Sequence, residues 1–474
     1  MDHGLFDHVK KRLKRKQKHH SIVKSLTKQG YQEAHIRKVI AVLNTTEKSI
    51  GKREENETAL IKKFMIKEVL DKIAYGFGSQ QFINILFSLT GASYFLIGLV
   101  NGFNVVAGLL MSLVLRDYLH VRDISKKLIV GSGFFFGCMF FLLSFAAYRG
   151  WTLLFILSFI LVSLGVVFLG DIYIKEYTES FKKEKVGYAL SKMTQFGIII
   201  ITLSLVLSAY IMDYFTIAGK EFAYIGIVPG YVISFVITAI AFIASTLVLH
   251  SLKREIKSES QAQVSLLLKE QIIKAGRYLA LFAQNKAILL VLIASTLTGF
   301  VQTLGNTYYG IFIYKEFNKL GFGGFMNVAM IFVVAIISAM FAPRIAKTLS
   351  KKYGNVPMLV MGTLLLAILP LTYYYRPSLT NIAMATVCGI IGSAIAGLAT
   401  GLLISNRLPE AEREAYYSSY SVIVTIPYII LFPIAAYLAD LYSLKIMFLV
   451  LGGVLALVVM PLYFALLFVE NRVL

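Results

Sequence analysis

Between Ile73 and Leu115 the chain contains no Asp, Glu, Lys, Arg or His. An uninterrupted stretch of that length exceeds the about 20 apolar residues that cross a bilayer as a helix, and it accommodates two crossings in succession. In lipid every backbone N–H and C=O must be satisfied within the segment, so helices are the expected form. The same pattern continues along the chain. The run splits into two spans at Gly91-Ala92-Ser93, and further charge-free windows cover 128–148, 151–170, 193–212, 230–251, 287–308, 320–343, 353–375, 380–405, 415–439 and 446–469. The residues predict an all-α polytopic membrane protein with twelve transmembrane helices, six on each side of a charged stretch from Lys253 to Lys286. Composition agrees: 57% of residues are hydrophobic and only 15% charged, against about 25% charged in soluble chains. The first 60 residues are polar and basic, so no cleavable signal peptide is expected.

Charge distribution orients these spans. If the basic N-terminus is cytoplasmic, twenty-two Lys and Arg residues fall in inside loops and six in outside loops, alternating without exception. Lys and Arg are retained on the cytoplasmic side, and this bias sets orientation. Both termini are therefore predicted cytoplasmic, at a cell membrane. The net charge of +21 and runs such as KKRLKRKQK at 10–18 are accounted for by this topology, and no nucleic-acid partner is expected. Cys138 and Cys388 lie in apolar segments of different halves, and the reading takes them as small core residues.

The chain also repeats itself. SAYIMD at 208–213 closes the fifth predicted span and AAYLAD at 435–440 closes the eleventh. Gly76-Phe77 in the first span matches Gly299-Phe300 in the seventh, and Asn104-Val105 in the second matches Asn327-Val328 in the eighth. Each match joins equivalent helices, so the expected plan is two six-helix halves. Because six is even, both halves keep one orientation and are parallel repeats. The domains read as a basic arm over 1–69, a first bundle over 70–251, a linker over 252–286 and a second bundle over 287–474.

Twelve spans in two parallel halves around a charged central loop resemble the major facilitator superfamily. Leu349–Gly362, LSKKYGNVPMLVMG, is similar to the loop that family carries between helices, through Lys352, Tyr353, Gly354 and Gly362. Lys351 stands where the family places an acid, which marks a divergent branch. The resemblance implies a transporter working by alternating access, with a substrate site near the midplane between the halves. It also implies a gating role for the loop residues Lys351, Lys352 and Gly354.

Polar side chains on otherwise apolar helices mark candidate substrate contacts, since unpaired amides are costly in lipid. Ser295, Thr298, Gln302, Asn306 and Tyr309 form one stripe on the seventh span. Gln81, Asn84 and Ser88, with Gln80 adjacent, do so on the first. A cavity-lining role is favoured over helix–helix bridging because the two stripes occupy equivalent helices. On the tenth span Gly389, Ser393, Gly397 and Gly401 form a small-residue groove, read as close helix packing. Gly305, Pro427 and Pro433 are expected kink points. No ionisable residue is expected near the middle of any span, which favours an uncharged or amphiphilic substrate. Asp171 and Asp213 end their spans, and Asp171 is the candidate for coupling.

Within the arm, 21–43 has the spacing of two short amphipathic helices around Gly30, able to meet anionic lipid or a protein partner. The function expected is a secondary-type transporter, with an exporter of hydrophobic compounds or a non-transporting sensor as alternatives. No cluster of His, Cys and acids lies at one membrane depth, so neither catalysis, a metal nor a cofactor is expected. The partners foreseen are the bilayer and a small-molecule substrate, and the expected state is a monomer.

Overall fold

The computed structural model describes residues 60–121, 126–180, 183–217, 229–252 and 285–470, with isolated residues elsewhere. The chain divides into two compact units, 1–65 and 66–474. In the first, the amphipathic helices expected over 21–43 lie outside the described residues, apart from positions such as Thr27, whose hydroxyl donates to the Val23 carbonyl at 2.9 Å. Most of the linker expected over 252–286 lies outside them too.

The described part of the second unit is helical. In chain order the helices are α1 over 66–77, α2 (Gln80–Leu89), α3 (Tyr94–Val121), α4 (Lys126–Arg149), α5 (Thr152–Ser180), α6 (Lys183–Ile217) and α7 (Gly230–Leu252). After the linker come α8 (Lys286–Phe317), α9 (Gly324–Ser350), α10 (Asn355–Tyr375), α11 (Leu379–Arg407), α12 (Glu410–Leu441) and α13 (Leu444–Gly453). A π-turn over Val454–Val459 joins α13 to α14 (Met460–Glu470). Local chemistry sets several boundaries. Ser79, Asn285, Ser378 and Ser443 each accept a hydrogen bond from a backbone N–H in the first turn of the helix that follows. Gly91, at φ +84°, makes the break between α2 and α3 where the sequence placed it.

Ten of these helices, or continuous helical runs, are long and apolar enough to cross a membrane. The two expected spans not among them are the first and the eleventh. The first is divided at Gly78-Ser79, and of the eleventh Pro427–Leu441 qualifies as a shorter apolar helix. One expectation is corrected here. Helix begins before residue 73, and Lys67, Glu68, Asp71 and Lys72 are helical residues packed within the bundle. A hydropathy window ends at such charges, but these pair at i,i+4, Lys67 with Asp71 and Glu68 with Lys72, which lets them stay in the helix. Cys138 is exposed on the outside of the bundle and Cys388 half-buried, so Cys138 is not the core residue expected.

Helix contacts repeat across the linker. In the first half α4 packs on α5 and α7, and α3 on α5; in the second α10 packs on α11 and α13, and α9 on α11. Between halves, α3 meets α12, α6 meets α9, and α2 meets α8. The first two of those contacts join helices that the sequence matches pair with one another, second with eighth and fifth with eleventh. The equivalent glycines each face a helix, though not equally closely. A Cβ on Gly76 would stand 2.4 Å from Ser204 of α6, and one on Gly299 would stand 3.2 Å from Tyr428 of α12.

Candidate functional site

Asp213 and Asp440, which end the two matching hexapeptides, each bond to a helix on the other side of the linker. Helix α9 starts at Gly323, which has no side chain to cap it. Its free N–H groups at Phe325 and Met326 donate instead to Asp213 Oδ1 and Oδ2 of α6, at 2.9 and 2.7 Å. In the mirrored place, Tyr94 and Phe95 at the start of α3 donate to Asp440 Oδ1 and Oδ2 of α12, at 2.8 and 2.7 Å. A carboxylate at a helix N-terminus satisfies unpaired donors and meets the positive end of the helix dipole. Each half thus caps a helix of the other.

Further bonds close the same end of the molecule. Gln81 donates to the Asn306 carbonyl at 2.7 Å and Asn84 to the Thr307 carbonyl at 3.2 Å, tying α2 to α8. Asn101 donates to Asn84 Oδ1 at 3.1 Å, and Gln80 to Asn101 Oδ1 at 3.3 Å. The Tyr308 hydroxyl donates to the Tyr94 carbonyl at 2.6 Å. On α3, Gly98 and Gly102 let α12 approach: a Cβ on Gly98 would stand 2.4 Å from that of Ala436. Gly98→Leu is expected to part the halves at this end, seen as faster labelling of a cysteine placed at Tyr308. Unchanged labelling would show that this contact does not seal it.

Away from that end the second half holds an open cavity of about 260 Å³. Ser295, Thr298 and Gln302 of α8 form one wall, Ser393, Gly397 and Gly401 of α11 another, and Tyr416, Tyr420 and Tyr463 the third. Gln302 Nε2 donates to Ser393 Oγ at 3.2 Å, and the Tyr420 hydroxyl reaches the Ser295 carbonyl at 3.3 Å. Among the described residues no Asp, Glu, Lys, Arg or His lines the space. Its polar groups are hydroxyls and one amide, set against tyrosine rings.

The stripe predicted on α8 is therefore divided by the structure. Ser295, Thr298 and Gln302 line the cavity; Asn306 is exposed and contributes its carbonyl to the contact with Gln81. Tyr309 is buried, stacked on Tyr373 and Phe448 with centroids 4.5 and 5.2 Å away. On α2, Gln81 and Asn84 bridge the halves, and Ser88 donates to the Ile85 carbonyl of its own helix. The small-residue groove on α11 is likewise two surfaces. Gly389 packs against Leu369, whereas a Cβ on Gly397 or Gly401 would meet nothing within 4 Å. For those two glycines packing is not the role, because they stand at the cavity. Lys351, Lys352 and Gly354 are exposed in the turn between α9 and α10, and Asp171 lies on α5 outside this cavity. The tyrosine wall escaped the sequence reading because its three rings come from α12 and α14, where no polar stripe marked them.

A helical bundle with ten helices long and apolar enough to cross a membrane defines a polytopic membrane protein. A family model of the major facilitator superfamily matches residues 73–424 and 349–473, and the chain belongs to that superfamily. Among solved structures, the nucleoside transporter NupG is similar at 15% identity, covering 85% of this chain and 99% of that one, with a TM-score of 0.63. A bacterial homologue of the human lysosomal transporter Spinster, inward-facing and unoccupied, gives 15% identity, 87% and 96% coverage and a TM-score of 0.60. A D-xylose–proton symporter gives 14%, 84% and 97%, and 0.53. A comparison with curated protein sequences finds no match.

Proposed function

We propose that this chain carries an uncharged, ring-bearing, hydroxylated solute of the nucleoside class across the membrane by alternating access. The observation that carries this reading is the cavity wall: three tyrosines, hydroxyls and the Gln302 amide, with no ionic side chain among the described residues. Flat tyrosine faces suit a base or sugar ring, and hydroxyls and an amide suit donors and acceptors on a neutral ligand. The nucleoside-transporter fold of one structural neighbour is consistent with it.

In this reading the bundle has twelve crossings, with α1 and α2 together forming the first, and both termini are cytoplasmic in line with the distribution of Lys and Arg. The carboxylate clasps then close the outer side and the cavity faces the cytoplasm. Transport requires the halves to rock, breaking the clasps while the opposite end closes.

Uptake of radiolabelled uridine into proteoliposomes tests the proposal, with D-xylose and a neutral dipeptide alongside. Gln302→Leu is expected to reduce uridine uptake by about tenfold or more, because the Ser393 hydroxyl and the ligand lose a shared partner. Thermal unfolding should shift little. Uptake that is unchanged in Gln302→Leu would remove the cavity from the transport path. Preference for lipophilic dyes over all three solutes would favour an exporter of hydrophobic compounds.

A further inference from the structure

A separate cavity, of about 470 Å³, lies between α10 and α11. It runs from Arg376 and Asn381, where α10 ends and α11 begins, to Ile368 and Cys388. The helix from Ile368 to Arg376 is about 12 Å long, close to the hydrocarbon depth of one leaflet, about 15 Å. Below the cavity the two helices meet backbone to backbone: a Cβ on Gly392 would stand 2.6 Å from the Gly362 carbonyl. Nearer the mouth Ala385 and Thr372 leave a gap, and Ile368, Leu371 and Met384 flank it. Ile368, Met384 and Tyr375 are 40, 57 and 68% exposed, so the cavity is a groove open to the surroundings of the bundle.

Among the described residues Arg376 is the one charged side chain that lines this groove, and its exposed guanidinium engages none of them. Its backbone, by contrast, is fixed from three directions. The Arg376 N–H donates to the Thr372 carbonyl at 3.2 Å, and its carbonyl accepts from Ser378 N at 3.0 Å and from Asn381 Nδ2 at 3.1 Å. The turn is held, and all five guanidinium donors are left over. Tyr375 beside it packs on Tyr374, with centroids 4.8 Å apart. Tyrosines at the ends of membrane helices sit at headgroup level.

We propose that this groove binds an anionic phospholipid, its phosphate held by Arg376 and one acyl chain laid between α10 and α11 toward Cys388. A guanidinium presents a planar fork that matches phosphate oxygens, and it is more weakly hydrated than an ammonium. A basic mouth on a groove between membrane helices is the arrangement that retains anionic headgroups. The acyl chain supplies the contacts that the groove walls lack. This proposal requires only that the chain span a bilayer, and it stands apart from the nucleoside reading. Helix α9 runs away from the clasped end and α10 returns to it, so in the orientation proposed above the lipid belongs to the outer leaflet.

Other occupants fit less well. A second copy packed about a two-fold axis through the groove would bring one Arg376 toward the other. A neutral apolar molecule would leave the guanidinium without a partner at the hydrocarbon edge. Lipid of any headgroup would cover the apolar walls but gain nothing from a cation fixed at the mouth. The groove also leads inward: a Cβ on Gly452 of α13 would stand 2.5 Å from Leu371 Cδ2, so an acyl chain against Leu371 bears on the packing of α13 against α10.

The test uses the full chain with Cys138→Ser, purified in dodecyl maltoside and stripped of lipid, so that Cys388 is its one thiol. Dioleoyl phosphatidylglycerol added to the micelles should slow maleimide labelling of Cys388 by about tenfold, and dioleoyl phosphatidylcholine by less than about twofold. Native mass spectra should retain one phosphatidylglycerol per chain. Arg376→Gln should lose both the protection and the retained lipid, whereas Arg376→Lys should keep part, having the charge without the fork. Met384→Trp, which fills the groove, should protect Cys388 before lipid is added. Equal protection by the two lipids, or undiminished protection in Arg376→Gln, would overturn the proposal. So would a dimer in the same micelles whose Cys388 is already protected, since a second copy would then be the occupant. The labelling reads no transport, so a failure of uridine uptake leaves its outcome standing.

Discussion

Gly401→Leu abolishes solute uptake without weakening the fold, and Gly392→Leu weakens the fold: these opposite outcomes are expected from one helix. A Cβ at Gly401 meets nothing within 4 Å, so a leucine side chain grows into the 260 Å³ cavity. Uptake should fall by at least about tenfold, with thermal unfolding unchanged. A Cβ at Gly392 would stand 2.6 Å from the Gly362 carbonyl and 2.9 Å from the Leu366 nitrogen, both backbone atoms of α10. The helices must separate to admit it, at a cost of about 3 kcal/mol. Gly397→Leu should follow Gly401. Equal destabilisation by all three leucines would mean that the whole groove is a packing surface and that the cavity has no functional role.

Removing the two clasp carboxylates is expected to open the end they close. Each accepts two backbone N–H groups at a helix start, an interaction of about 2 kcal/mol when partly buried. With the exposed Asp440 contributing about 1 kcal/mol, losing both shifts the balance between closed and open by about 3 kcal/mol, or somewhat over a hundredfold. Spin labels at Ala92 and Phe322, in a chain freed of Cys138 and Cys388, would report this as a new, longer distance by pulsed electron resonance. The two aspartates should not be equal. Asp213 is 9% exposed and is the cap for a helix whose own start is Gly323. Asp440 is exposed, and the helix it caps keeps a local partner, Ser93 Oγ, which accepts from Leu96 N at 3.2 Å. Asp213→Ala should therefore open the end more than Asp440→Ala. An unchanged closed distance in the double variant would mean that packing of α3 on α12 and α6 on α9 holds the end without them.

The parts of this molecule that depend on local order were readable in advance. The charge-free windows located the helices, although several run on past them into charged turns, as Thr152–Ser180 and Lys183–Ile217 do, and the turn at Gly91 fell where three small residues interrupt an apolar run. The repeat SAYIMD and AAYLAD was legible as a duplication, yet its purpose was not. That each aspartate caps a helix belonging to the other half depends on residues more than a hundred positions away. Likewise Gln81 and Gln302 look alike as polar residues on apolar helices, but one bridges the halves and the other faces a cavity. Periodicity identifies the face of a helix and says nothing about what stands opposite it. The charged helical turn at Lys67–Lys72 fell outside the charge-free window that starts at Ile73 for a related reason: hydropathy scores residues singly, and ion pairs at i,i+4 cancel only once the helix has formed.

By itself the sequence determined the class of protein: a helical membrane chain, because bilayer thickness and backbone hydrogen bonding leave few ways to arrange such apolar stretches. Only the tertiary structure decided which polar residues are clasp, which are cavity and which are a buried charge cluster. Side-chain hydrogen bonds and cavities are relations between helices distant in the chain, and their partners are chosen by packing rather than by the local pattern of residues.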